Sequence, residues 1–153
     1  MSTVTELTPD QVELVDTYLP LNRLGQDAGD ASTYLIAWED GVPVGHAHIA
    51  WTATHLGLPE IQDVYVLPDR RRRGVAGSLT AAAEQAARAS GWTEISLSVS
   101  DRNHAARRLY EKLGYGDAGV EPVRVSGVIE LRGRPVEVDD TLVYLKKTLG
   151  RER

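Results

Sequence analysis

Apolar residues recur along this chain with two periods, and the changes of period divide it into elements. Val4 to Leu7 reads as a short first strand. Thr8 followed by Pro9 has the form of an N-cap with proline at the first helical position, and a helix of about ten residues follows through Tyr18. Pro20 to Ala31 reads as irregular chain or a second short helix. Thr33 to Glu39 and Val44 to Trp51 are strands joined by a turn signal at Glu39, Asp40 and Gly41. Glu60 to Leu67 is a further strand, ended by Pro68.

The most helical stretch comes next. Val75, Leu79, Ala82, Ala83 and Ala86 repeat at helical spacing, and Ser90 and Gly91 stop the run. Thr93 to Ser100 alternates, with Ile95, Leu97 and Val99 on one face. Asp101 to Asn103 opens another helix with Ala106, Leu109, Tyr110 and Leu113 as its apolar stripe, ended by Gly114. Two β-rich runs, Val120 to Leu131 and Val136 to Lys146, turn at Arg132 to Pro135. This order predicts an α/β (α+β) protein: a mixed sheet with helices on its faces, in one domain over residues 1–153.

Composition narrows the class. Hydrophobic residues make up 42% and charged residues 25%, a globular balance that excludes disorder. There is no cysteine, so disulfides, thiolate nucleophiles and thiolate metal sites are excluded. Met1 to Asp16 lacks the basic start and apolar core of a signal peptide. No run approaches the roughly 18 apolar residues of a membrane span. The expectation is a cytoplasmic protein with no membrane partner. Charge is uneven: residues 1–69 hold 11 acids against Arg23 alone, net −10, while residues 70–153 hold 16 bases against 11 acids, net +5. The basic half suits an anionic ligand and the acidic half a cationic one, although solvated surface charge would look the same.

Asp63 to Ser90 carries the chemistry. A strand runs into Pro68, then Arg70, Arg71, Arg72 and Arg73, then Gly74, Val75, Ala76 and Gly77, then the long helix. Small residues at 74, 76 and 77 let a ligand approach the backbone. The first helical N–H groups lack partners, the helix dipole adds positive charge, and guanidinium groups sit beside them. Together these make a pyrophosphate site. No Gly-Lys-Ser/Thr follows, so it is not a Walker loop, and the three-glycine dinucleotide spacing is absent. One basic run on an acidic protein does not make a nucleic-acid surface.

Arg71 to Ala76 reads Arg-x-x-Gly-x-Ala, and Asn103 to Tyr115 reads Asn-x-x-Ala-x-x-Leu-Tyr-x-x-x-Gly-Tyr. Both resemble motifs of the GCN5-related N-acetyltransferase (GNAT) family, at the family's spacing, and the element order is similar over nearly the whole chain. The resemblance implies a mostly antiparallel sheet of about 6–7 strands, splayed in the middle, with about four helices on its faces. It implies acetyl-CoA as co-substrate and no metal. The pantetheine arm would lie in the splay against Val64, Tyr65 and Val66. Amides from Arg71, Arg72, Arg73, Gly74, Val75, Ala76 and Gly77 would hold the pyrophosphate, with Ser78 or Leu79 extending the cradle. Asn103 would bond the pantetheine region, and Tyr110 would face the sulfur, where the leaving thiolate can take its proton.

Direct attack of an amine on a thioester needs a proton acceptor, because an alkylamine with pKa near about 10 is mostly protonated at neutral pH. It also needs a donor to the oxyanion, by analogy a backbone N–H near Val66. Counting back from Gly74, Glu60 holds the position of the catalytic glutamate in the family's histone-acetylating members. Asp63 and a water relay remain alternatives. Strand alternation predicts Glu60, Gln62 and Val64 on one face, with Ile61, Asp63 and Tyr65 on the other. Plainer roles compete throughout. Tyr110 lies in an apolar stripe, and Asn103 suits a helix cap. His46 and His48 share a strand face without a visible third metal ligand. His55 and His104 suit loop and surface, and Trp38, Trp51 and Trp92 suit core or cleft. The reading favoured is an N-acetyltransferase acting on a primary amine of a small molecule or peptide. The rival is an acyl-CoA-binding module without catalysis. The last hairpin has enough strand to form a homodimer across a two-fold.

Overall fold

The computed structural model describes residues 2–19, 32–131 and 134–150. Its centre is an eight-stranded sheet. β1 (Thr3–Glu6) leads through a 3-10 turn (Pro9–Gln11) into α1 (Val12–Tyr18). β2 (Ser32–Glu39) and β3 (Val42–Ala50) form the first hairpin, and β4 (Glu60–Val66) follows. A second 3-10 turn (Pro68–Arg70) leads to α2 (Val75–Ala89), then β5 (Glu94–Ser100), α3 (His104–Lys112) and β6 (Gly116–Asp117). β7 (Val123–Leu131) and β8 (Arg134–Thr148) close the chain's fold. Strand order is β1-β2-β3-β4-β5-β8-β6, with β7 on β8, and every pairing is antiparallel except β4 with β5.

Three differences from the sequence reading have local causes. The first helix is divided: Thr8 and Gln11 form a reciprocal capping box around a tight turn before α1 begins. β6 is a two-residue strand that no periodicity could announce. β8 is longer than expected, because its first nine residues pair with β7 and its last seven with β5. The sheet therefore has eight strands rather than six or seven. The described residues contain three α-helices. The second helix suggested within Pro20 to Ala31 falls outside the described residues, as do Arg132 and Gly133 of the expected turn, whose Arg134 and Pro135 instead open β8.

The larger core lies between the sheet and α2. Leu79, Ala83 and Ala87 of the helix are fully buried against Ala37, Ile49, Ile95 and Leu145 of the strands. The spacing of these residues on α2 is the 3.6-residue stripe read from the sequence. The helix lies so close that a Cβ on Gly45 would be 2.9 Å from the Tyr65 carbonyl oxygen and 3.2 Å from Val75. Glycine at 45 is what permits this packing. A smaller cluster on the opposite face joins Val15 and Leu19, from α1 and its end, to Ile36 and Tyr65.

Two irregularities shape the middle of the sheet. β4 has one residue too many opposite β3: His46 pairs with Tyr65 and His48 with Gln62, so Asp63 and Val64 together oppose Ala47. Asp63 takes a left-handed φ of +54°. This is a β-bulge, which bends and twists the strand that carries it. β4 pairs with β5 only at Glu60↔Ser96 and Ile61↔Leu97. Beyond Ile61 the two strands separate. The join is anchored at its start, where the Pro59 carbonyl accepts from the Ser96 amide at 2.9 Å and from its hydroxyl at 3.0 Å.

Candidate active site

The bulge rearranges the faces of β4. Ile61, Val64 and Val66 pack with the α2 core. Tyr65 turns to the α1 side, where it stacks on His46, and Asp63 lies 3.9 Å from His48 on that side. Strict alternation thus fails after Gln62, because the bulge inserts one residue and turns everything beyond it over. Val64 leaves the face of Glu60, and Asp63 and Tyr65 join it.

Two clefts open from the gap between β4 and β5. The first, about 580 Å³, is lined by residues nominated from sequence: Val64, Tyr65, Val66, Arg71, Arg72, Gly74, Val75, Ala76, Gly77, Asn103 and Tyr110. Arg70, Ala105, Ala106 and Leu109 complete it. Leu109 belongs to the apolar stripe of α3 yet is 36% exposed, because it faces this cleft.

The cradle owes its shape to two left-handed residues, Arg72 at φ +63° and Gly74 at φ +82°. Gly74 is the N-cap of α2 and offers no side-chain acceptor. The first amides of the helix are therefore left for a ligand. The Ser78 amide already donates to the Gly74 carbonyl at 3.0 Å. Of the two residues expected to extend the cradle, Leu79 is fully buried in the core, and Ser78 retains its hydroxyl at the first helical turn. The expectation for Arg73 concerns its backbone amide, while its side chain turns elsewhere. Its guanidinium is half-exposed and lies 3.9 Å from Glu39, away from the cleft wall. Arg71 braces the site: its Nε donates to the Val66 carbonyl at 2.9 Å, and its guanidinium lies 5.6 Å from the centre of the Tyr65 ring. Cβ atoms at Gly74 or Gly77 would meet nothing within 4 Å, so the cleft is open at the cradle. Small residues, free helical amides and three arginines without an acid in the lining fit the pyrophosphate of coenzyme A.

The second cleft, about 530 Å³, lies on the β5 side. Glu60, Gln62 and Asp63 form one wall, Ser98 and Ser100 of β5 another, and Leu142 and Tyr144 of β8 a third. Sequence reasoning missed the β5 and β8 contributors. Their only signal is polar spacing in a strand, and that becomes a cleft wall only because β4 and β5 part. The two clefts share Val64, Asn103, Ala106 and Tyr110.

Tyr110 is 7% exposed, and burial pushes its phenol up to about 12. Its ring meets Tyr115 edge-on, with centroids 5.9 Å apart. The Tyr115 hydroxyl donates to buried Glu84 of α2 at 2.9 Å, and Lys147 of β8 donates to the same carboxylate at 3.0 Å. Burial, then the Glu84 charge, raises the Tyr115 pKa as well. Tyr110 is thus held by a network tying together α2, the chain after α3, and β8. Asn103 caps α3 by accepting from the Ala106 amide at 3.0 Å, which leaves its NH₂ group for a ligand in either cleft.

Glu60 is 6% exposed. One carboxylate oxygen accepts from Gln62; the other has no hydrogen-bond partner among the described residues. Tyr144 has its pKa raised by burial first and by the Glu60 charge second. His46 and His48 are buried and stacked on Tyr65 and Tyr34, and no group of three His, Cys, Asp or Glu able to hold a metal occurs among the described residues. Trp51 and Trp92 pack against the α2 core and Trp38 against the α1 cluster. His104 is exposed, and His55 lies 4.4 Å from the Tyr144 ring at the second cleft.

Sheet, splay and cradle define a two-cleft α/β protein in which a basic helix terminus adjoins a parted strand pair. The chain belongs to the acetyltransferase (GNAT) family, whose model matches residues 2–115. It is 33% identical over 87 residues to the uncharacterized N-acetyltransferase YhfO of Bacillus subtilis, covering 55% of this chain and 58% of that protein. It is 29% identical over 103 residues to the streptothricin acetyltransferase of Streptomyces lavendulae, covering 67% and 53%. The matches thus span little more than half the length of these curated relatives. A GNAT family acetyltransferase from Elizabethkingia anophelis, solved with acetyl-CoA bound, shares the fold at TM-score 0.70 and 16% identity, over 97% of this chain and 98% of that one.

Proposed function

We propose that this protein transfers an acetyl group from acetyl-CoA to a primary amine of a small molecule or peptide. The observation that carries this reading is the meeting of two clefts at Tyr110, one ending in the helix-terminal cradle and the other holding Glu60. Acetyl-CoA supplies the acyl group as a thioester. The cradle from Arg71 to Gly77 takes its diphosphate, and the backbone of Val64 to Val66 pairs with the pantetheine arm as an added strand would. Asn103 donates to the same arm. A backbone N–H near Val66 faces the charge that builds on the carbonyl oxygen.

Glu60 accepts a proton from the incoming ammonium, directly or through one water. The carboxylate oxygen without a partner is the one available for this. Tyr110 donates a hydrogen bond to the departing sulfur. A phenol near 12 does not readily surrender its proton to a thiolate whose thiol has a pKa of about 8.5. Tyr110 therefore stabilises the sulfur, and the nitrogen's second proton leaves with the thiol. The proposal includes self-association through the β7–β8 hairpin, whose Val125 and Val128 are exposed and whose β7 pairs only with β8 among the described residues.

Release of free thiol from acetyl-CoA with a panel of amines tests the transfer. Binding of acetyl-CoA without thiol from any amine would support the rival reading of a non-catalytic acyl-CoA module.

A further inference from the structure

The two clefts carry opposite charge. The cradle side is lined by Arg70, Arg71 and Arg72 and, among the described residues of the lining, by no acid, although Arg70 also pairs with Glu39 at 3.3 Å outside it. The other side is lined by Glu60 and Asp63 and, among the described residues, by no lysine or arginine. Glu60 suffices for one reacting amine, and Asp63, which lies 3.9 Å from His48, adds a second carboxylate to the same lining. Glu60 is nine-tenths buried and lines the cleft with one oxygen lacking a donor. A buried carboxylate oxygen in that state costs free energy until something donates to it. Asp63 reaches the same cleft by way of the bulge, in a left-handed conformation at φ +54° that a β-strand residue does not ordinarily adopt. The bulge brings it onto the Glu60 face, where strict alternation would have placed it opposite. Tyr144 adds an aromatic wall suited to a cation.

Resting on the transferase reading above, the geometry points to an acceptor with two cationic nitrogens, a small dibasic amine that reacts at one end beside Glu60 while its other end pairs with Asp63. At the reacting nitrogen an N–C bond forms as the C–S bond breaks. One proton passes to Glu60 before attack and a second leaves with the thiol. The distal nitrogen stays protonated throughout. A cleft of about 530 Å³ admits a small molecule of this kind. An acceptor carrying a carboxylate would meet two like charges and, among the described residues of the lining, no lysine or arginine.

Thiol release from acetyl-CoA is measured with 1,4-diaminobutane, with n-pentylamine of matching length, and with 4-aminobutanoate. The diamine is expected to exceed the monoamine in kcat/KM by about tenfold or more, well above the twofold that two reactive ends provide. The amino acid is expected to be poorest. Asp63→Asn is expected to compress the diamine-to-monoamine ratio to about threefold or less, since a neutral amide pairs weakly with an ammonium. Equal turnover of diamine and monoamine by the wild-type protein would overturn the dibasic acceptor and leave the transferase reading standing. Absence of thiol with every amine, with acetyl-CoA still bound, would overturn both.

Discussion

Tyr110 belongs to two settings at once: it is buried in the core, and it lines both clefts. Removing only the hydroxyl separates these roles. Tyr110→Phe is expected to lower kcat about 10- to 100-fold, the worth of one hydrogen bond to a charged sulfur, while KM for acetyl-CoA moves less than about threefold. Steady-state kinetics at saturating amine checks this. The phenol's shift from 10 to about 12 also has a stability consequence. A group whose native pKa is raised keeps its stabilising effect below the unfolded value and loses it as pH climbs to the native one. Stability should therefore fall between pH 10 and 12, with Tyr110 contributing on the order of 3 kcal/mol. Tyr115 and Tyr144 shift the same way, so the loss is shared. Urea unfolding at stepped alkaline pH should show a shallower decline for Tyr110→Phe than for wild type. At this scale the spaced motifs named Tyr110, Asn103, Gly74 and Gly77, and the fold brings all four to the lining of one cleft. The sequence was silent on which arginine turns outward and which amide the first helical turn takes, because both depend on the φ angles of Arg72 and Gly74.

Among the elements, β4 decides the most. Its limits and neighbours follow from its apolar run, but its bulge does not: nothing in Gln62-Asp63-Val64 marks an inserted residue, and the inversion of faces that follows is a tertiary effect. Helix α2 was fully legible, because an uninterrupted apolar stripe bounded by glycines leaves little choice. Its closeness to the sheet was not, since it depends on Gly45 lying under Val75 and Leu79. Gly45→Ala places a methyl group against the Tyr65 carbonyl, and either the helix or the bulged strand must move. The expected cost is about 1–3 kcal/mol in denaturant unfolding, with a weaker affinity for acetyl-CoA because the cradle rides on the displaced helix.

At the scale of the whole molecule, charge asymmetry along the chain becomes asymmetry in space only in part. The basic side of the site is indeed drawn from residues 70–72, but the acidic side gathers Glu60 and Asp63 with neutral residues from β5 and β8. Net charge by halves could suggest two ligands of opposite sign and could not locate the second cleft. The hairpin of β7 and β8 reaches beyond the rest of the sheet, with Val128 68% exposed. Sedimentation should report a dimer, and Val128→Lys should convert it to a monomer of unchanged secondary structure, since a charge on an exposed strand face opposes edge pairing. Unaltered mass for this variant would remove the hairpin from the interface.

The strand pair at the heart of the sheet is joined over only two residue pairs before it parts. Two half-sheets thus meet near Pro59, and α2 packs across both. A guest that fills the opening would supply cross-linking the polypeptide itself lacks, and the native form would gain melting temperature in step with occupancy. At about one hundred times its dissociation constant, acetyl-CoA should add roughly 2.7 kcal/mol. Amide exchange along Gln62 to Val66 and Ser98 to Ser100 should slow more than exchange at the remote β1–β2 edge.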